Sequence, residues 1–263
     1  MLLENQMPET RLTANQGHTS VPNRRLIERG LYWAGRGILT VGAHRMFQLD
    51  ILRHAPLPAG PKIIAPNHPT TTDPFLILIL AREQTSILID DRLFKVPIFG
   101  RYLHQAGHIP VIPQHGRLAY NAAKKLLQSG RTLAVFPEGS VSPLEGGLCH
   151  PRTGVARLAL ETGVPVVPVG IHLDRERIRL IETEIEGRTV TGTWYLGGPY
   201  AMTVGEPMHF TGSVQNRTHV RAISEQIIQR IAHLAQESAA RMVRTEHTHP
   251  VTGLSRLEPE STS

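Results

Sequence analysis

An alternation of strand-like and helix-like segments is the strongest constraint on how this chain can fold. From Pro61 onward, short apolar runs bounded by proline or glycine take turns with stretches of helical period. Residues 62–65 read as a strand ended by Pro66, and 74–82 as a helix with Asp73 as its cap and Pro74 in its first turn. A second strand is expected over 86–89. Paired alanines and leucines predict a helix over 117–128, stopped by Gly130. A buried strand over 132–136, a helix over 152–161 closed by Gly163, and a strand over 166–171 despite Pro168 continue the pattern. The stretch 188–210 reads as two strands joined at Gly197-Gly198-Pro199, and 220–234 as an amphipathic helix. Such a chain buries its strands by lining them up in parallel and covering both faces with the intervening helices. The expected class is therefore α/β, a largely parallel central sheet flanked by helices, with function at the strand ends.

Composition narrows the partners. A single cysteine, Cys149, excludes an intramolecular disulfide framework and a cysteine-rich zinc site. No apolar run approaches the length of a spanning helix, and the opening MLLENQMPET has acids where an export signal needs bases, which predicts a cytoplasmic chain. The net charge of +6 and a pI near 9.9 call for an anionic partner. Aromatic residues make up only 5% and no basic-aromatic interleaving occurs, so nucleic acid is not that partner.

Much of the charge has an address. Residues 1–23 are polar and aperiodic and read as a flexible arm. Residues 24–54 carry six arginines against Glu28 and Asp50, a net +4. On a helix, Ile27, Leu31, Ala34, Ile38 and Val41 form one stripe, with Arg25, Arg29 and Arg36 on the opposite face. Residues 24–58 are thus expected to be an amphipathic segment, suited to a membrane interface or to packing on the domain surface. Gly30, Gly35, Gly37 and Gly42 weaken its helix propensity. After residue 243 the chain is again polar and aperiodic, a second flexible stretch over 244–263.

Loops at the strand ends carry the candidate chemistry. In Asn67-His68-Pro69-Thr70-Thr71-Thr72-Asp73, the chain can fold back so that the Asp73 carboxylate meets the His68 imidazole, leaving the other ring nitrogen as a general base. Asp73 is equally suited to capping the following helix. Phe136-Pro137-Glu138-Gly139-Ser140 places a carboxylate just past a strand, followed by a glycine that lets a ligand near the backbone. A solvated turn carboxylate would have the same sequence. Leu93-Phe94-Lys95-Val96-Pro97-Ile98-Phe99-Gly100 with Gly107-His108-Ile109-Pro110-Val111, and Val164-Pro165-Val166-Val167-Pro168-Val169-Gly170, read on their own as strand entries and structural turns.

Taken in order, these blocks resemble the lysophospholipid and glycerolipid acyltransferases, most closely the 1-acylglycerol-3-phosphate acyltransferases. The resemblance covers about residues 60–210 and implies an acyltransferase domain over 59–243, preceded by a membrane-docking segment. It implies that His68 and Asp73 are catalytic and that Asn67, Pro137, Glu138, Gly139 and Ser140 bind substrate. The implied reaction is direct acyl transfer to a lysolipid hydroxyl, with acyl-CoA or acyl-acyl carrier protein as co-substrate and neither a metal nor any other cofactor. The implied partners are the thioester donor, the lysolipid acceptor and the inner face of a membrane. The chain departs from the family at two places. Pro113 and Val141 stand where phosphatidate-forming members tend to carry phosphate-binding arginines, and Arg117 and Arg152 are the available substitutes. The departure leaves open a lyso-aminolipid or glycolipid acceptor, and a non-catalytic lipid-binding protein of the same fold. A metal-dependent hydrolase built on His68 and Asp73 is the reading from a different reaction class.

Overall fold

The computed structural model describes residues 21–185 and 187–248. The expected flexible segments lie outside these residues except at 21–23 and 244–248, which belong to helices. The chain begins with α1 (Val21–Met46), which runs directly into β1 (Phe47–Arg53). The helix expected over 24–58 is therefore cut at Met46. Phe47, Leu49 and Ile51 recur with a period of two and face the core, so this stretch satisfies a strand better than a fourth decade of helix.

The expected alternation follows, with one helix, α3, where the sequence read only strand entries and turns: β2 (Ile63–Pro66), α2 (Asp73–Ile77), β3 (Thr85–Asp90), α3 (Phe99–Gln105), β4 (Ile109–Val111), α4 (Gly116–Gln128), β5 (Thr132–Ala134), α5 (Gly154–Thr162) and β6 (Val166–Leu173). A hairpin of β7 (Ile178–Ile185) and β8 (Arg188–Tyr195) precedes β9 (Gly198–Val204) and the long α6 (Arg217–Thr248). The main sheet has seven strands in the order β1-β9-β6-β2-β5-β3-β4. All neighbours are parallel except β6 and β9. The α/β architecture is as the sequence predicts.

Both faces of the sheet are covered. Ile64 of β2 packs into a core with Tyr32, Ile77, Ile87 and Met202, whereas its neighbours Ile63 and Ala65 face Ala123, Val155, Ile223 and Ile231 on the other side. This is the side-chain alternation of a strand buried on both faces. Pro168 is tolerated inside β6 because the ladder to β9 begins only at Val169; its carbonyl still accepts Gly205 N at 2.9 Å. Gly170 lets α6 approach closely: a Cβ there would meet Ala235 N at 2.0 Å.

The two strands expected over 188–210 are β8 and β9, joined at the expected turn. β8 pairs with β7 in a separate ribbon, and the turn at Gly197-Gly198-Pro199 carries the chain into the main sheet. The helix expected over 74–82 ends at Ile77. The carbonyls beyond it are taken by arginines from elsewhere. Arg36 of α1 donates to Leu78 O, Ile79 O and Ala81 O at 3.0–3.2 Å, and Arg53 of β1 donates to Leu80 O at 3.3 Å. Such capping makes further helix unnecessary.

That use of Arg36 also orients α1. Tyr32 and Ala43 are buried beside it, with Tyr32 Oη accepting Thr85 N at 3.0 Å. Arg36 therefore points into the protein, not to the outside. The face carrying Ala34, Ile38 and Val41 is turned to the exterior, with Ile38 75% exposed. Arg29 and Arg45 are exposed; the side chains of Arg25 and Ile27 lie outside the described part.

Candidate active site

The loop after β2 is held by its own polar side chains. Asn67 is buried, its amide donating to Ile171 O at 3.0 Å and accepting Ile171 N at 2.6 Å, so it acts as one more rung between β2 and β6. Both polar ends of that side chain are engaged with the fold. His68 follows, partly exposed, with its ring stacked on Phe136 at a centroid distance of 4.0 Å.

Asp73 is completely buried as the first residue of α2, and its carboxylate folds back over the loop. Oδ2 lies 3.1 Å from His68 Nδ1 and accepts Thr70 N at 2.7 Å. Oδ1 accepts Thr70 Oγ1 and Tyr200 Oη, each at 2.8 Å. A buried carboxylate needs this kind of saturation. Burial, reinforced by the Asp73 charge, pushes the Tyr200 hydroxyl well above its ordinary pKa, so it remains a donor. With Nδ1–H donating to Asp73, His68 presents Nε2 as a base. Asp73 thus faces His68 and does not serve as the helix cap, whose position falls to Thr72.

The loop after β5 is fastened to the first loop by Glu138. Its carboxylate is buried; Oε1 accepts His68 N at 2.9 Å and Ser142 Oγ at 2.8 Å, while Oε2 accepts Cys149 N at 2.6 Å. Ser142 N returns a bond to His68 O at 2.7 Å. In this arrangement Glu138 is a clamp that sets the backbone of His68. Pro137 is buried, its carbonyl accepting Arg152 N at 2.8 Å. Gly139 has φ +69°, and a Cβ there would fall 2.3 Å from Arg152 Nε. The glycine is required by the turn and by the guanidinium lying across it. Ser140 is exposed beside the Cys149 thiol.

The structure brings Arg152, but not Arg117, to this loop. Arg117 is exposed on the first turn of α4, after the edge strand β4, which β3 separates from β5. The hairpin supports the site from a third direction. Thr71 N donates to Thr193 O at 2.6 Å, and Thr72 Oγ1 both donates to Tyr195 O and accepts Tyr195 N at 2.9–3.0 Å, so the threonines extend β8 by hydrogen bonding along its edge. Sequence reasoning missed Tyr200, Ser142 and Phe136 as site residues. Tyr200 had no local signal, because only the pairing of β9 with β6 carries it to Asp73.

The fold and this site define an α/β domain with a histidine–aspartate pair at the carboxyl ends of its strands. Its similarities are to acyltransferases. Residues 48–172 match the family model Acyltransferase. The chain is 26% identical over 135 residues to the chloroplastic 1-acyl-sn-glycerol-3-phosphate acyltransferase BAT2 of Brassica napus, covering 49% of this chain and 39% of that one. It is 29% identical over 114 residues to the 1-acyl-sn-glycerol-3-phosphate acyltransferase of Cocos nucifera, covering 41% and 37%. The chain thus spans about two fifths of the length of these curated relatives. The crystal structure of the 1-acyl-sn-glycerophosphate acyltransferase PlsC from Thermotoga maritima shares the fold, with a TM-score of 0.52 and 21% identity over 80% of this chain and 82% of that one. Over residues 48–172, a little under half of its length, the chain resembles the acyltransferase family, and it is similar to the 1-acylglycerol-3-phosphate acyltransferases.

Proposed function

We propose that the protein transfers a fatty acyl group from an acyl thioester, acyl-CoA or acyl-acyl carrier protein, to a hydroxyl of a lysophospholipid of the 1-acylglycerol-3-phosphate type. The observation that carries this reading is the His68–Asp73 pair, with a buried, donor-saturated carboxylate behind a partly exposed imidazole. His68 Nε2 takes the proton of the acceptor hydroxyl as its oxygen attacks the thioester carbonyl. The imidazolium is stabilised by Asp73. Collapse of the tetrahedral intermediate breaks the carbon–sulfur bond, and the departing thiolate takes the proton back from His68. The products are the ester and the free thiol, and the base is regenerated. No acyl-enzyme is needed, because the hydroxyl attacks the donor directly.

Arg152 is the candidate phosphate ligand in place of the arginine absent at position 141, since its guanidinium lies on Gly139 next to the clamp at His68. The outward apolar face of α1 supports docking on a membrane, the proposed site being its cytoplasmic surface; no helix among the described residues is long and apolar enough to cross one.

The decisive experiment is a thiol-release assay with a panel of lyso-acceptors and both donor types. The expected result is release that requires an acceptor, survives a chelator and is strongest with a phosphomonoester. Arg152→Ala should raise KM for that acceptor about tenfold or more while leaving kcat nearly unchanged. Preference for a lyso-aminolipid or glycolipid would move the acceptor assignment to the second reading. Silence with every acceptor would sink the catalytic one.

A further inference from the structure

The stretch from Leu93 to Gly100 is not used by the proposed chemistry, and its backbone is unusual. Gly100 N donates to Val96 O at 2.8 Å, and a Cβ at Gly100 would fall 1.8 Å from Phe94 O. The turn at Asp91–Lys95 and the start of α3 therefore cross with nothing between them. To make that crossing the chain passes through Ile98 at φ +66°. With ψ −55° and Phe99 N donating to Pro97 O at 2.7 Å, this is a γ-turn of the rare positive-φ form, strained for any residue that carries a Cβ and most so for a β-branched one, whereas glycine sits there at least cost. The Ile98 side chain is also 85% exposed. Strain and apolar exposure both cost stability, and neither contributes to the core.

The surroundings indicate what the residue is for. Tyr102 N donates to Ile98 O at 3.0 Å one turn further on, and the Tyr102 ring lies against Gly35 of α1. The knuckle at Pro97-Ile98-Phe99 therefore stands on the element beside α1, whose outward residues include Leu26, Trp33, Ile38 and Val41. Exposed Arg101 adjoins it, Arg29 and Arg45 are exposed on α1, and no acidic residue occurs between Arg92 and His104.

We infer that Ile98 is a second lipid-contacting point, an apolar knuckle that enters the same anionic bilayer surface on which α1 lies. This rests on the membrane reading proposed above. A bilayer accommodates a solitary apolar tip and pairs the neighbouring cations with lipid phosphates. A stable protein interface instead needs a contiguous patch, generally above about 1,000 Å² in total. A helix and a knuckle together also fix the orientation of the site above the lipid, which a single helix leaves free to roll. Once α1 is bound, the second contact forms without further loss of translational freedom.

The test is co-sedimentation of the full chain with phosphatidylcholine vesicles doped with phosphatidylglycerol, using Ile98→Asn and Ile98→Gly, with Ile38→Asp as the α1 control. Glycine tolerates this backbone, so the thermal midpoint of Ile98→Gly should equal or exceed that of the unaltered protein, and that of Ile98→Asn, which keeps a Cβ but loses the branch, should stay close to it. Their vesicle affinity should fall about tenfold, the equivalent of losing one inserted isoleucine side chain. Unchanged affinity for the Ile98 variants beside a weakened Ile38→Asp would overturn the knuckle and leave the docking helix standing. Unchanged affinity for all three would remove both. An altered oligomeric state with unaltered vesicle affinity would assign the knuckle to a second copy of the chain and overturn the lipid assignment.

Discussion

The loop of residues 67–73 and the outward face of α1 depart from ordinary burial in opposite directions. In the loop, Asn67, Thr70 and Asp73 are polar and inside; on α1, Trp33, Ile38 and Val41 are apolar and outside. Each departure has its own compensation. The buried polar groups are matched to hydrogen-bond partners on β6, β9 and the loop itself, so the loop is stable only as a complete network. Ile38 and Val41 face away from the rest of the fold, which is held to α1 by Tyr32 and Arg36, with the Trp33 ring against both. Substitution should consequently damage chemistry in the first region and membrane affinity in the second.

The largest expected effect is His68→Ala, which removes the base and should lower turnover by about 10³-fold, within the usual range for a general base. The thermal midpoint should barely move, because the ring is partly exposed; retained turnover would refute the mechanism. Asp73→Asn comes next, with a loss of about 10²-fold. It should also lower stability by about 1–3 kcal/mol, since an amide NH₂ would face donors on Thr70 or Tyr200. A denaturant titration that found Asp73→Asn as stable as the parent would show that the network is looser than these distances imply.

Tyr200→Phe keeps the ring and removes one donor to Asp73. The expected cost in turnover is about tenfold at most, read at saturating acceptor. Turnover equal to that of the parent would reduce Tyr200 to packing. The smallest effect on catalysis belongs to Ile38→Asp. Turnover on a dispersed short-chain acceptor and the melting temperature should be unchanged, while vesicle-bound turnover falls several-fold. A drop in melting temperature would mean that this face packs on protein, and the contrast between the two regions would disappear.

The sequence made some of this arrangement legible and hid the rest. The helices at α4 and α5 were readable because their apolar spacing is local, and Gly163 closes α5 in the left-handed conformation that a glycine stop suggests. The His68–Asp73 pairing was readable because both partners lie in one short loop. β1 was missed because the amphipathic pattern of α1 was extended through it, although Phe47, Leu49 and Ile51 already had the period of a strand. The β7–β8 ribbon was missed because most of β7 is exposed and its polarity follows no clean alternation.

Arg36 shows the limit most clearly. Its place opposite the apolar stripe of α1 is a fact of helical geometry, but the wheel cannot say which face meets the protein. Arg36 meets the protein and the apolar stripe does not. By itself the sequence determined the α/β class, the helices with clear apolar spacing and the local geometry of a base with its carboxylate. These depend on periodicity and on contacts a few residues apart. Only the tertiary structure decided that Tyr200 completes Asp73, that Glu138 clamps His68, and that α1 turns its apolar side outward. Those outcomes depend on which distant segments lie together, and that follows from sheet order and close packing, which no local pattern encodes.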